Sequence, residues 1–204
     1  MPRKQPAATY DWPREIHRVL RANTLRQVSY VPDAGHKRLI ELCHGDKSMT
    51  VVPLTTEQEG IAVAAGAWLG GERSVLLMQS SGVGNCVNML TLATHCAFPL
   101  LLLVTMRGEW GEFNPWQVPM GQATQATLER SGVRTFRVER AEDAGATVEA
   151  AARLAWNTNA VAAVLIAQRM IGTKTFEISK TSATSRRSRS AGTFAASKAR
   201  EDTQ

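Results

Sequence analysis

Apolar and polar positions along this chain keep switching between two periods. From Trp12, apolar residues at Ile16, Val19 and Leu20 follow helical spacing with Pro13 in the first turn, which predicts an amphipathic helix over 12–22. Short β-leaning runs then recur at 27–30, 49–53, 74–78, 100–105, 135–138 and 162–167. Between them lie helix-like stretches: a brief one over 38–42, one opening at Glu57, and others over 86–96, 123–131 and 144–158. The run Leu-Leu-Leu-Leu-Val-Thr at 100–105 is almost wholly apolar, which in a strand means burial on both faces, as in a parallel sheet covered by helices. Six strands alternating with helices predict an α/β fold, doubly wound, with a mostly parallel six-stranded sheet and helices on both faces.

Ligands bind such sheets outside the carboxyl ends of the strands. Four segments lie there: 31–35, 55–57, 79–85 and 107–122. Thr56 followed by Glu59 forms a capping box for the helix that Glu57 begins. Glu57 is in its plainest reading a helix-start acid favoured by the dipole. Ala62, Ala64, Ala65, Gly66 and Ala67 are too small to fill a core and predict a tight seam with another backbone. Gly82-Val83-Gly84 reads as a phosphate-binding loop or as a plain tight turn, without the third glycine of a dinucleotide fingerprint. Gln79, Ser80, Ser81, Asn85 and Asn88 concentrate hydrogen-bonding groups at the same edge. Arg107 leaves a buried strand and suits a bidentate anion, or else is tied to Glu109 or Glu112 as a loop brace. Loop 107–122 carries three Gly, two Pro and two Trp. Its Trp110, Phe113 and Trp116 line a pocket or, the preferred reading, form a subunit contact. The four histidines are scattered, and His36, beside the first loop, is expected to be a surface residue at a helix start.

Composition narrows the classes. At 204 residues and 44% hydrophobic content the chain can bury a core, and no apolar run reaches membrane-spanning length. The basic first residues are not followed by an apolar signal core, so a cytoplasmic location is expected. Cys43, Cys86 and Cys96 are unclustered, which fits reduced thiols and argues against a disulfide framework or a zinc site. The formal charge of +6 sits mostly from Lys180 onward, where six basic residues, Lys180 included, face two acidic ones. That places a flexible start at 1–11, one domain at 12–170 and a disordered Ser/Arg-rich tail at 171–204, a solvated appendage rather than a nucleic-acid site.

Taken together, Val31-Pro32-Asp33, Thr56-Glu57 with Gly66 nine residues on, Met78-Gln79-Ser-Ser-Gly82-Val-Gly84-Asn85-x-x-Asn88, Arg107-Gly-Glu109 and Gln117-Val-Pro-Met-Gly121 resemble sulfopyruvate decarboxylase alpha subunits. Phosphonopyruvate decarboxylases look similar over the same positions. Both are thiamine diphosphate-dependent, and the resemblance, covering about 12–167, implies a pyrimidine-binding domain. It implies that Glu57 hydrogen-bonds N1′ of the aminopyrimidine and that Asp33 is available for proton transfer. Gln79, Ser81, Gly82, Gly84 and Asn85 would lie against the cofactor, with Arg107 and Asn88 towards the substrate. The family's diphosphate half, Gly-Asp-Gly followed by Asn-Asn, has only Gly45-Asp46-Lys47 as its nearest match here. The resemblance therefore implies that a beta subunit holds the diphosphate and Mg2+, and that thiamine diphosphate is shared between the two chains. The expected reaction is decarboxylation of a 2-oxo acid, sulfopyruvate to sulfoacetaldehyde. Phosphonopyruvate or another 3-substituted pyruvate, a carboligase reaction, and a non-catalytic regulatory subunit stand as alternatives.

Overall fold

The computed structural model describes residues 10–172; residues 1–9 and 173–204, with nearly all of the expected flexible start and basic tail, lie outside the described residues. The elements run α1 Trp12–Ala22, β1 Leu25–Tyr30, α2 Lys37–His44, β2 Thr50–Pro53, α3 Glu57–Leu69, β3 Arg73–Gln79, α4 Ser80–His95 and β4 Leu100–Thr105. They continue α5 Gln117–Arg130, β5 Arg134–Val138, a single 3-10 turn Ala141–Asp143, α6 Ala144–Thr158, β6 Val161–Ile166 and α7 Gln168–Ile171. The strands form one sheet in the order β2-β1-β3-β4-β6-β5. All of its strand pairs are parallel.

Period-two alternation in β3, β4 and β6 divides their side chains between two cores. Val75, Leu77, Leu101, Leu103, Ala162, Val164 and Ile166 pack with α1, α2 and α6. Leu76, Met78, Leu100, Leu102, Val104, Ala163 and Leu165 pack with α3, α4 and α5. This is the doubly wound architecture expected from the alternation of elements. The connection from β1 leads outward to β2, and that from β3 leads the other way to β4. Two neighbouring strands whose exits diverge leave a crevice between them, and here it opens at the carboxyl ends of β1 and β3.

Two helices begin earlier than the sequence pattern predicts. α4 starts at Ser80, so Gly82, Val83, Gly84 and Asn85 are its first turns and no phosphate loop exists there. α5 starts at Gln117, with Pro119 in its first turn where a missing N–H costs nothing. Each interior glycine opposes a helix by about 1 kcal/mol relative to alanine. Close approach explains two of them. A Cβ on Gly82 would overlap the Glu57 carboxyl, and one on Gly121 would overlap the Arg107 carbonyl oxygen.

Candidate active site

The sharp passage from β3 into α4 and the Thr56 cap of α3 bring Glu57 and the first turn of α4 together. Glu57 is 8% exposed. Its Oε2 accepts from Asn85 Nδ2 at 2.9 Å, and its side chain lies against Gly82. No Lys or Arg pairs with it among the described residues. The capping box that places it is uneven. Glu59 accepts from the Thr55 amide at 3.0 Å, from the Thr55 hydroxyl at 2.7 Å and from the Thr56 amide at 3.4 Å. The Thr56 hydroxyl faces the third-position amide but is buried without a bond of good geometry among the described residues.

At the β1/β3 crevice, Asp33 is held from two sides. Oδ1 accepts from Gln79 Nε2 at 3.1 Å and Oδ2 from Thr105 Oγ1 at 2.6 Å. Gln79 is itself fixed, because its Oε1 accepts from Ser81 Oγ at 2.9 Å and from Gln117 Nε2 at 3.1 Å. Burial alone would raise the Asp33 carboxyl. The neighbouring His36 ring, the Thr105 hydroxyl, the Gly35 amide and the Gln79 amide outweigh it and hold Asp33 below the usual carboxylate range. Burial in turn lowers the His36 ring, against the pull of Asp33 and of the Leu103 and Met78 carbonyls. The two groups are therefore coupled: attraction to the His36 ring is the largest influence favouring the Asp33 carboxylate, and the Thr105, Gly35 and Gln79 hydrogen bonds add to it.

His36 corrects the sequence expectation of a surface histidine. It is fully buried beneath Asp33, with Nε2 3.0 Å from the Leu103 carbonyl and Nδ1 lacking a partner among the described residues. The chain turns inward here because Gly35 lets the backbone approach Thr105 and Asp33. Thr105 is the member of this cluster that sequence reasoning passed over, and Gln117 entered only as the first residue of a motif, with no role. Thr105 reads as the last residue of an apolar strand, and the pattern assigns Gln117 to a loop.

Of the two readings open for Arg107, the geometry displays the brace. Nε and Nη2 both donate to Glu112, at 2.7 Å each. Glu112 also accepts from the Gly108 and Asn114 amides and from Gln168 Nε2. The Arg107 amide donates to buried Ser80 Oγ at 3.0 Å, tying the loop to the start of α4. Asn88 is not gathered into this cluster, since it is exposed on α4 about two turns beyond Ser80. Gly84 lies beside Met120 of α5. Trp110, Phe113 and Trp116 are exposed, and Arg169 stacks on Trp110 with its guanidinium 5.6 Å from the ring centre.

Gly45-Asp46 lies before β2, at the amino ends of the strands, whereas this cluster lies at their carboxyl ends. There Asp46 accepts from the Ser48 amide and hydroxyl and pairs with Arg21. Cys43 and Cys86 are buried and burial pushes both thiols up to about 12, which rules them out as nucleophiles near neutral pH.

A carboxylate with one oxygen held by an amide and no cation to neutralise it is suited to sharing a proton with a ring nitrogen. That donor set fits the aminopyrimidine of thiamine diphosphate. Residues 14–112 match the N-terminal TPP binding domain of thiamine pyrophosphate enzymes. The chain is 35% identical over 140 residues to sulfopyruvate decarboxylase subunit alpha from Methanococcus maripaludis, covering 68% of this chain and 84% of that protein. It is 38% identical over 104 residues to phosphonopyruvate decarboxylase from Streptomyces viridochromogenes, covering 50% of this chain and 26% of that protein. Among solved structures, 2-oxoglutarate:ferredoxin oxidoreductase from Magnetococcus marinus superposes with a TM-score of 0.63 at 16% identity, over 78% of this chain and 29% of that chain, a likeness of fold. With a relative of this identity matched over most of its length, the chain belongs to the thiamine pyrophosphate enzymes, in the family of the sulfopyruvate decarboxylase alpha subunits.

Proposed function

We propose that this chain is the pyrimidine-binding alpha subunit of a thiamine diphosphate-dependent 2-oxo acid decarboxylase, converting sulfopyruvate to sulfoacetaldehyde and carbon dioxide. The observation that carries the reading is Glu57, a buried carboxylate at a helix start, steadied by Asn85 and unpaired with any cation among the described residues. Bound thiamine diphosphate supplies the electron sink for the pair left when carbon dioxide departs. Glu57 would hold N1′ of its pyrimidine and share a proton with it, with Gly82 leaving the room that Glu57 occupies. Asp33 would hold the proton delivered to the product carbon, while Gln79, with Ser81 behind it, keeps the carboxylate turned into the crevice. Arg107, if it meets the substrate's sulfonate, must first leave Glu112; as placed, it braces the loop that follows β4.

A partner subunit bearing the diphosphate-binding domain would hold Mg2+ and the diphosphate. The matched relative carries the name subunit alpha, which supports the need for such a partner. Among the described residues no helix is long and apolar enough to cross a membrane, and three free cysteines fit a reducing cytoplasm. We take the pyrimidine-binding domain to span 12–170.

The test is reconstitution of the chain with its partner, thiamine diphosphate and Mg2+, followed by assay of aldehyde release from sulfopyruvate and from phosphonopyruvate. Sulfopyruvate is expected to be the faster substrate. Glu57→Gln is expected to lower turnover by about 10²-fold or more while leaving assembly intact. Unchanged turnover in Glu57→Gln would assign this chain a non-catalytic role, and faster turnover of phosphonopyruvate would exchange the substrate.

A further inference from the structure

Decarboxylation breaks the bond between C1 and C2 of a 2-oxo acid, leaves the electron pair on C2 and forms a new C–H bond there. One proton is consumed in each turnover, so a group that delivers it must alternate between acid and base. Asp33 is placed for this, yet the Gln79 amide, the Thr105 hydroxyl and the Gly35 amide hold it as a carboxylate. Oδ1 cannot easily take the proton. It faces the amide nitrogen of Gln79, whose own oxygen is fixed by Ser81 and Gln117. Oδ2 differs, because its donor Thr105 has a second acceptor, the Met78 carbonyl, 3.3 Å from the same hydroxyl. The 2.6 Å Thr105–Asp33 distance is in the range of a hydroxyl donating to an ionised carboxylate.

We propose that Thr105 is a positioning residue that works as a two-position hydroxyl, letting Asp33 pass between carboxylate and carboxylic acid with every hydrogen bond retained. In one position Thr105 donates to Oδ2 and Asp33 is ionised. In the other Thr105 donates to the Met78 carbonyl, and a protonated Oδ2 donates to Thr105. Thr105 is buried, so water cannot take over either bond. A side chain on Gly35 would press on both Oδ2 and the Thr105 methyl, and its absence lets the pair meet. The titratable and charged groups that bear on Asp33 are His36 from the start of α2 and Arg107 from the exit of β4. Lys37 and Glu41 of α2 line the cleft outside it. None of these offers the hydroxyl a third acceptor. The assignment rests on the decarboxylase reading only for the use of the proton; the hydroxyl's two positions can be tested without turnover.

The test follows the protonated-carboxyl infrared band of Asp33, assigned by its loss in Asp33→Asn, through a pH titration of the assembled complex with thiamine diphosphate and no substrate. Thr105→Val, which keeps the shape and removes the hydroxyl, is expected to move the Asp33 titration up by about one pH unit. Thr105→Ser is expected to return it to the wild-type position. In turnover, Thr105→Val is expected to lower kcat by about tenfold with KM little changed, and Thr105→Ser to recover most of it. An unshifted Asp33 titration in Thr105→Val, or a Thr105→Ser complex that behaves like Thr105→Val, would overturn the proposal. Absence of decarboxylation in the wild-type complex would overturn the function while leaving the titration result to stand by itself.

Discussion

At the scale of single residues, the Arg107–Glu112 pair is the strongest electrostatic feature near the site. Arg107 draws the Glu112 carboxyl far below the usual range against burial, with the Asn114 and Gly108 amides and the Gln168 side chain adding to it. The Glu112 side chain is 1% exposed. Removing the cation by Arg107→Met therefore leaves a buried charge uncompensated, expected to cost about 3–5 kcal/mol in chemical denaturation near pH 7. The pH dependence follows from the sign of the shift. A carboxyl depressed in the folded state contributes its full stability above the unfolded-chain value of about 4.3 and loses it as pH falls towards the folded value. Wild type should thus lose stability on acidification below about pH 5, and Glu112→Gln should show a flatter profile there. Parallel profiles for the two proteins would mean that ionisation of Glu112 contributes nothing.

At the scale of elements, the strand-helix alternation was legible because β3, β4 and β6 carry unbroken apolar runs and α1 and α6 carry helical periodicity. The starts of α4 and α5 were not legible, because glycine and proline ordinarily mark loops, and here they serve contacts that no local pattern encodes. Glu57 meets Gly82 across 25 positions of sequence, and Gly121 meets Arg107. For the same reason Asp33, Glu57, Gln79, Asn85 and Gln117 stood in motifs, while Thr105, the bond from Gln117 to Gln79 and the burial of His36 depend on which strand exits lie side by side. The Gly121 contact gives an element-scale prediction. In Gly121→Ala the new methyl meets backbone on the far side of the β4 exit, which cannot rotate away. Overpacking of this kind costs about 1–3 kcal/mol, and for a chain of this size each kcal/mol lowers Tm by about 2–4 °C. Gly66→Ala is the contrast, since nothing lies within 4 Å of a Cβ there. It should raise Tm through helix propensity, and calorimetry on the two variants should move in opposite directions.

At the scale of the whole molecule, that empty space at Gly66 bears on how the chain completes its site. The sequence expectation was that the small residues of α3 form a tight seam with another backbone, but the helix divides them. Ala64 and Ala67 are buried inside this chain, whereas Ala62, Gly66 and Leu69 lie exposed along one stripe at helical spacing. Leu69 is 87% exposed, and Trp68, Val87 and Leu92 are further exposed apolar side chains of α3 and α4. A helix interior glycine with no neighbour weakens the isolated chain by about 1 kcal/mol without any internal compensation, so its use lies in contact with something else. Under the proposed function that contact is the diphosphate-binding subunit, brought against the same helix whose first residue is Glu57. Leu69→Asp discriminates this from an incidental surface leucine. In the lone chain the substitution should change stability by no more than about 0.5 kcal/mol, because the side chain is already in water. In the assembly it would bury an unpaired carboxylate and should weaken association at least about tenfold by titration calorimetry against the partner. Decarboxylation should then fall at low subunit concentration and recover at high concentration, as expected of lost affinity rather than lost chemistry. Full-strength association of Leu69→Asp would place the partner on another face and leave Gly66 without an explanation.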